Sequence, residues 1–122
     1  MLVYSCADLI FSTKVRSTAE AMHVASRPAR NLDMLQARLD RVDDGKANDA
    51  VTCVVVDLEL GDASFDLIRL AAQHEARPKV IAFGPHVMVD ALAGAERAGA
   101  DLSMARGAFT AQLPEIVAQF GN

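Results

Sequence analysis

The stretch VVVDLELGD, residues 54 to 62, limits the possible folds more than any other part of the chain. Three consecutive β-branched residues suit a strand covered on both faces, as in a parallel sheet held between layers of helices. Asp57 closes the run and would stand at the C-terminal end of that strand. Loops diverge from this edge of an open α/β sheet and leave a crevice where ligands bind and chemistry occurs. Asp57 is therefore the first candidate for a functional residue.

The rest of the chain alternates strand and helix around this element. LVYSC (2–6) reads as a short apolar strand. Residues 9–21 place Leu9, Phe11, Val15 and Ala19 at helical spacing. A brief strand, MHVAS, follows, with Pro28 closing it. Asn31 is a candidate N-cap for a helix over 32–43, whose Leu32, Leu35, Leu39 and Val42 form one stripe. Asp33 near its start and Arg38 and Arg41 near its end agree with the helix dipole. DDGKAND (43–49) lacks apolar periodicity and reads as a solvated loop before the strand over 52–57. Ser64 is a candidate N-cap for a helix reaching His74. KVIAF (79–83) reads as a strand and residues 87–98 as an Ala-rich helix stopped by Gly99. A strand over 101–105 and a helix over 110–120, with Pro114 in its early part, complete the order. This alternation predicts one α/β domain over 1–122, a three-layer sandwich with a parallel sheet and helices on both faces.

Composition excludes several classes of function. Of 122 residues, 52% are hydrophobic and 23% charged, which argues against disorder, and the net charge of −4 with scattered Lys and Arg argues against direct nucleic-acid binding. No apolar stretch is long enough to span a bilayer, and MLVYSCADLIF lacks the basic start of a signal peptide, so a cytoplasmic protein is expected. Cys6 and Cys53 sit in strand-like contexts and read as buried free thiols. A phosphatase-type loop would need Arg six residues beyond the cysteine, where Ser12 and Glu59 stand. His23, His74 and His86 are too far from one another and from the cysteines for a local metal motif. SCADLIF, after the first strand, has no glycine and excludes dinucleotide and P-loop phosphate binding.

Three separated segments carry a resemblance that covers the whole chain: DLIFSTKV after the first strand, the Asp-Leu-x-Leu of VVVDLELGD, and GADLSMARGAF near the C-terminus. In this order and at this spacing they resemble the receiver domains of bacterial response regulators. The resemblance implies a flavodoxin-like fold, with a five-stranded parallel sheet of order 2-1-3-4-5, and a role in two-component, phosphorelay-type signalling. It makes Asp57 the phosphoacceptor equivalent. It also implies two acids after the first strand to hold magnesium, a Ser or Thr after the fourth strand, and a Lys after the fifth. Those places fall on Cys6 and Ala7, on Gly84 and on Arg106, with Asp8 one residue beyond the acidic pair.

The departures bear on chemistry. Phosphoryl transfer to a carboxylate brings anions together, and magnesium is held by oxygen ligands that a thiol and a methyl cannot supply. Gly84 offers no hydroxyl. Arg106 keeps a positive charge, but as a planar fork, and is expected to pair with Asp57. The reading that follows is a degenerate receiver: no enzyme, no cofactor, and output through phosphorylation-independent contacts with other signalling proteins. A histidine kinase or downstream regulator is an example, and a homodimer is open. Met88, Ala91, Ala95, Met104 and Phe109 are the candidate contact residues. An alternative retains phosphorylation of Asp57 and rebuilds a magnesium site from Asp8, Asp57 and Glu59. A small aspartate-dependent hydrolase is a more distant one.

Overall fold

A computed structural model describes residues 1–43 and 46–122. Five parallel strands, β1 (Leu2–Ser5), β2 (Ser26–Pro28), β3 (Cys53–Asp57), β4 (Lys79–Gly84) and β5 (Leu102–Ala105), form one sheet in the order β2-β1-β3-β4-β5. The connecting helices are α1 (Leu9–Ala21), α2 (Leu32–Leu39), α3 (Asp62–Gln73), α4 (Val89–Ala98) and α5 (Arg106–Phe120). The expected α/β sandwich and its strand order are present.

Alternation along the strands produces the layers. Val54, Val56, Val80 and Ala82 face a core closed by Leu35, Leu67, Ile68 and Ala95 of α2, α3 and α4. Cys53, Val55, Ile81 and Phe83 face the opposite core, closed by Val15 of α1 and Phe109, Leu113 and Val117 of α5. Successive strand side chains point to opposite faces, so an uninterrupted apolar run serves both cores. Val54, Val55 and Val56 are each 0% exposed, and full burial of each contributes about 1.5–3 kcal/mol.

Several boundaries differ from the sequence reading. The second strand begins four residues later than MHVAS and contains Pro28, opposite Tyr4. β2 is an edge strand, where a missing N–H costs no ladder bond. Asn31 caps α2, its Oδ1 accepting from Met34 N–H at 2.8 Å, but α2 ends at Leu39. The chain then makes a short antiparallel ribbon, Val42–Asp43 with Lys46–Ala47, where a solvated loop was expected. The centre of that loop, residues 44 and 45, lies outside the described residues. Asn48 behind it is buried, its side-chain amide donating to the carbonyls of Arg38 and Asp49. Ser64 is no N-cap: α3 starts at Asp62, and the buried Ser64 hydroxyl donates to the Gly61 carbonyl at 2.6 Å. α5 starts at Arg106, so Pro114 is interior. Gly99 ends α4 at φ 121°, as its type suggests.

Candidate functional site

The C-terminal ends of β1, β3 and β4 meet at Asp57. Its neighbours are set by register, with Ser5 opposite Val56 and Asp57 opposite Phe83. Asp57 is 0% exposed. Its Oδ2 accepts the Ala7 N–H at 2.9 Å and its Oδ1 accepts the Glu59 N–H at 3.0 Å. The second bond makes Asp57 the cap of a single 3₁₀ turn, Leu58–Leu60, that opens the loop to α3. The carboxylate is thereby satisfied by two backbone donors, as burial requires.

Cys6 and Ala7 follow β1, with Cys6 half-buried. Burial, then the negative charge of Asp57, pushes the Cys6 thiol up to about 12, against a smaller opposing effect of a hydrogen bond with Ser12. Burial also raises Cys53 to about 12. Both sulfurs are protonated at neutral pH and are poor nucleophiles. Asp8 caps α1, its Oδ1 accepting the Phe11 N–H at 2.9 Å. Gly84 ends β4 buried, and a Cβ at Gly84 would lie 3.1 Å from the Leu58 Cβ.

Arg106 corrects one expectation. Its guanidinium binds the Glu59 carboxylate, and Asp57 does not take part. The guanidinium carbon also lies 4.9 Å from the centre of the Phe11 ring, within cation–π range. Arg106 Nε is buried and has no hydrogen-bond partner among the described residues. The first residue of α5 thus grips the loop after β3 across the top of the sheet. Asp57 is already satisfied by two N–H donors, which leaves Glu59 as the acid that can receive the guanidinium.

Phe11 and Leu58 are the contributors that sequence reasoning missed. Phe11 was read only as part of a core stripe, yet it also carries the Arg106 guanidinium. Leu58 belongs to the Asp-Leu-x-Leu motif but gave no signal that it would fill the space beside Gly84. The candidate contact surface also changes. Ala95 and Phe109 are both 0% exposed, while Met88 and Ala91 pack on one core and Met104 on the other. Among the described residues, no three His, Cys, Asp or Glu side chains are grouped to hold a metal ion. The combination of Asp8, Asp57 and Glu59 is therefore not assembled.

Both Arg106 and Glu59 side chains are about a third exposed, so solvent weakens their attraction. A double-mutant cycle with Glu59→Gln and Arg106→Gln is expected to give a coupling of about 0.2–1 kcal/mol. Urea denaturation of the four proteins measures it, and zero coupling would mean that the pair does not hold the loop.

No family model and no curated protein matches the chain. Solved structures do. A response regulator from Thermotoga maritima superposes with a TM-score of 0.75 at 21% identity, covering 97% of this chain and 93% of that one. The receiver domain of NtrX from Brucella abortus gives 0.75 at 14% identity, covering 98% and 96%. A response regulator from Burkholderia pseudomallei, solved with a phosphorylated aspartic acid, calcium ion and citrate, gives 0.66 at 21% identity, covering 97% and 70%. The fold is that of response regulator receiver domains.

Proposed function

We propose that the chain is a receiver-like signalling domain of the two-component type that acts through protein contacts without phosphorylation of Asp57. The observation that carries this reading is the engagement of both acids able to rebuild a cation site. Asp8 is bound to the start of α1 and Glu59 to Arg106. Cys6 and Ala7 occupy the places after β1, and their thiol and methyl are unsuited to magnesium. Arg106, the cation expected to meet an added phosphoryl group, is held by Glu59 instead. The site has the features of a fixed structural joint, and this reading assigns the domain no catalysis of its own.

The partners in this reading are other signalling proteins, met in the cytoplasm. No described helix is long and apolar enough to cross a membrane. Magnesium and then beryllofluoride, a phosphoryl mimic, test the proposal in a two-dimensional NMR titration with Asp57→Asn as control. The expected result is no shift at residues 6–8, 57–59 and 84 in a folded sample. Magnesium-dependent shifts there that vanish in Asp57→Asn would overturn it in favour of a working phosphoacceptor.

A further inference from the structure

Beside the site just described, a cavity of about 360 Å³ opens between α1, the ends of β1 and β2, and Leu60. Its volume suits one small molecule. Asp8, Ser12 and Arg16, four residues apart along α1, line one wall. Arg30, just beyond β2, lines another, so that two arginines border one cavity. Neither has a carboxylate partner among the described residues. Tyr4 also lines the cavity at 4% exposure, and its hydroxyl makes no hydrogen bond with any described residue. The hydroxyl is accessible from the cavity and free to donate to a bound acceptor.

One acid, Asp8, lines the same cavity and opposes an anion, against the two arginines. Asp8 holds the Phe11 N–H, and the Asp57 oxygens hold two N–H groups. The Cys6 thiol is uncharged at neutral pH. The remaining walls include Leu60 and Leu9, the latter 82% exposed at the rim. Two guanidinium groups favour an oxyanion, and the apolar walls favour a carbon body attached to it.

We infer that this cavity binds a small organic anion, with its oxyanion head on Arg16, Arg30 and the Tyr4 hydroxyl and its body against Leu9 and Leu60. The cavity shares Cys6, Ala7 and Asp8 with the receiver-like site but is not lined by Asp57, so these contacts do not use the phosphoacceptor equivalent. It gives the domain a chemical input of its own. A phosphate ester and a carboxylate share the required head, so both are used as probes.

NMR titration of the labelled chain with phenyl phosphate, benzoate and neutral benzamide tests the inference. Saturable shifts centred on Tyr4, Ser12, Arg16 and Arg30 are expected with at least one anion and none with benzamide. Arg16→Gln and Arg30→Gln are each expected to weaken binding about tenfold, the loss of one charge-assisted contact. Both positions are exposed, so these variants should fold, and retained spectra verify this. Tyr4→Phe is expected to weaken binding less. The inference fails if neither anion binds at millimolar concentration, if benzamide binds equally, or if both Gln substitutions leave affinity unchanged.

Discussion

Phe83→Ala is expected to lower the stability of the domain by about 3–5 kcal/mol, a large share of the roughly 5–15 kcal/mol that such a domain possesses. Phe83 is 0% exposed near the end of β4. Its ring stacks on Phe109 of α5 at 4.2 Å and 5°, and meets Phe11 of α1 at 5.2 Å and 37°. Truncation would therefore lose apolar burial and two ring contacts together and leave a cavity between the strand and the α1 and α5 helices on one face of the sheet. The effect should reach the site, because Phe11 also carries the Arg106 guanidinium. Urea denaturation measures the loss, with Phe83→Leu expected to lose less. NMR line shapes at Glu59 and Arg106 report the loosened joint. A loss below about 1.5 kcal/mol would mean that neighbouring side chains collapse into the space and that the aromatic stack does not anchor the edge.

The layer structure was legible because it depends on periodicity and sidedness. VVVD could satisfy two cores only as a central strand, and the predicted stripes were buried in part, through Phe11, Val15 and Ala19 in α1 and Leu35 and Leu39 in α2, while Leu9 and Leu32 are exposed and Val42 is exposed beyond the end of α2. The boundaries that failed depend on nonlocal partners. Pro28 looked like a terminator, yet an edge strand accepts it. The ribbon after α2 rests on backbone pairing and on a buried Asn48 whose amide serves carbonyls, neither of which leaves an apolar pattern. Ser64 has the composition of a cap but uses its hydroxyl inside the first turn.

The site was legible as a set of positions and less so as a set of bonds. Asp57, Cys6, Ala7, Glu59, Gly84 and Arg106 do converge at one edge of the sheet, because each stands at or just after a strand end. Which acid the guanidinium would choose could not be read from order along the chain. The choice follows from the 3₁₀ turn after β3, which gives Asp57 two N–H donors and leaves the Glu59 carboxylate facing α5. The Arg106 guanidinium thus does not pair with the acid that the receiver resemblance suggests. It pairs with the acid that backbone donors leave unsatisfied.

Gly84→Thr, which restores a hydroxyl at the place implied by the receiver resemblance, is expected to destabilise the domain by about 1–3 kcal/mol rather than repair a switch. Glycine is needed here for space. Leu58 is 1% exposed, and its Cβ would stand 3.1 Å from a new Cβ. That atom is attached directly to the backbone of the turn capped by Asp57, so it can retreat only by moving the turn. Threonine adds two further heavy atoms in the same crowded place. Leu58→Ala alone should cost about 2–5 kcal/mol through the cavity it leaves. Combined, the two substitutions should cost less than their sum by at least about 0.5 kcal/mol, because the threonine γ atoms can enter the space left by the Leu58 Cγ and Cδ1, 3.7 and 3.5 Å from the new Cβ, while the Cβ contact at 3.1 Å remains. Denaturation of the single and double variants gives the coupling. Additive losses would show that the Leu58 atoms beyond Cβ do not exclude the side chain. If Gly84→Thr proved neutral and also gained a magnesium-dependent response to beryllofluoride, the absent hydroxyl would be a removable lesion in a site still able to take phosphate. The expected crowding instead makes Gly84 and Leu58 one packing unit, with the space beside a switch hydroxyl filled by core.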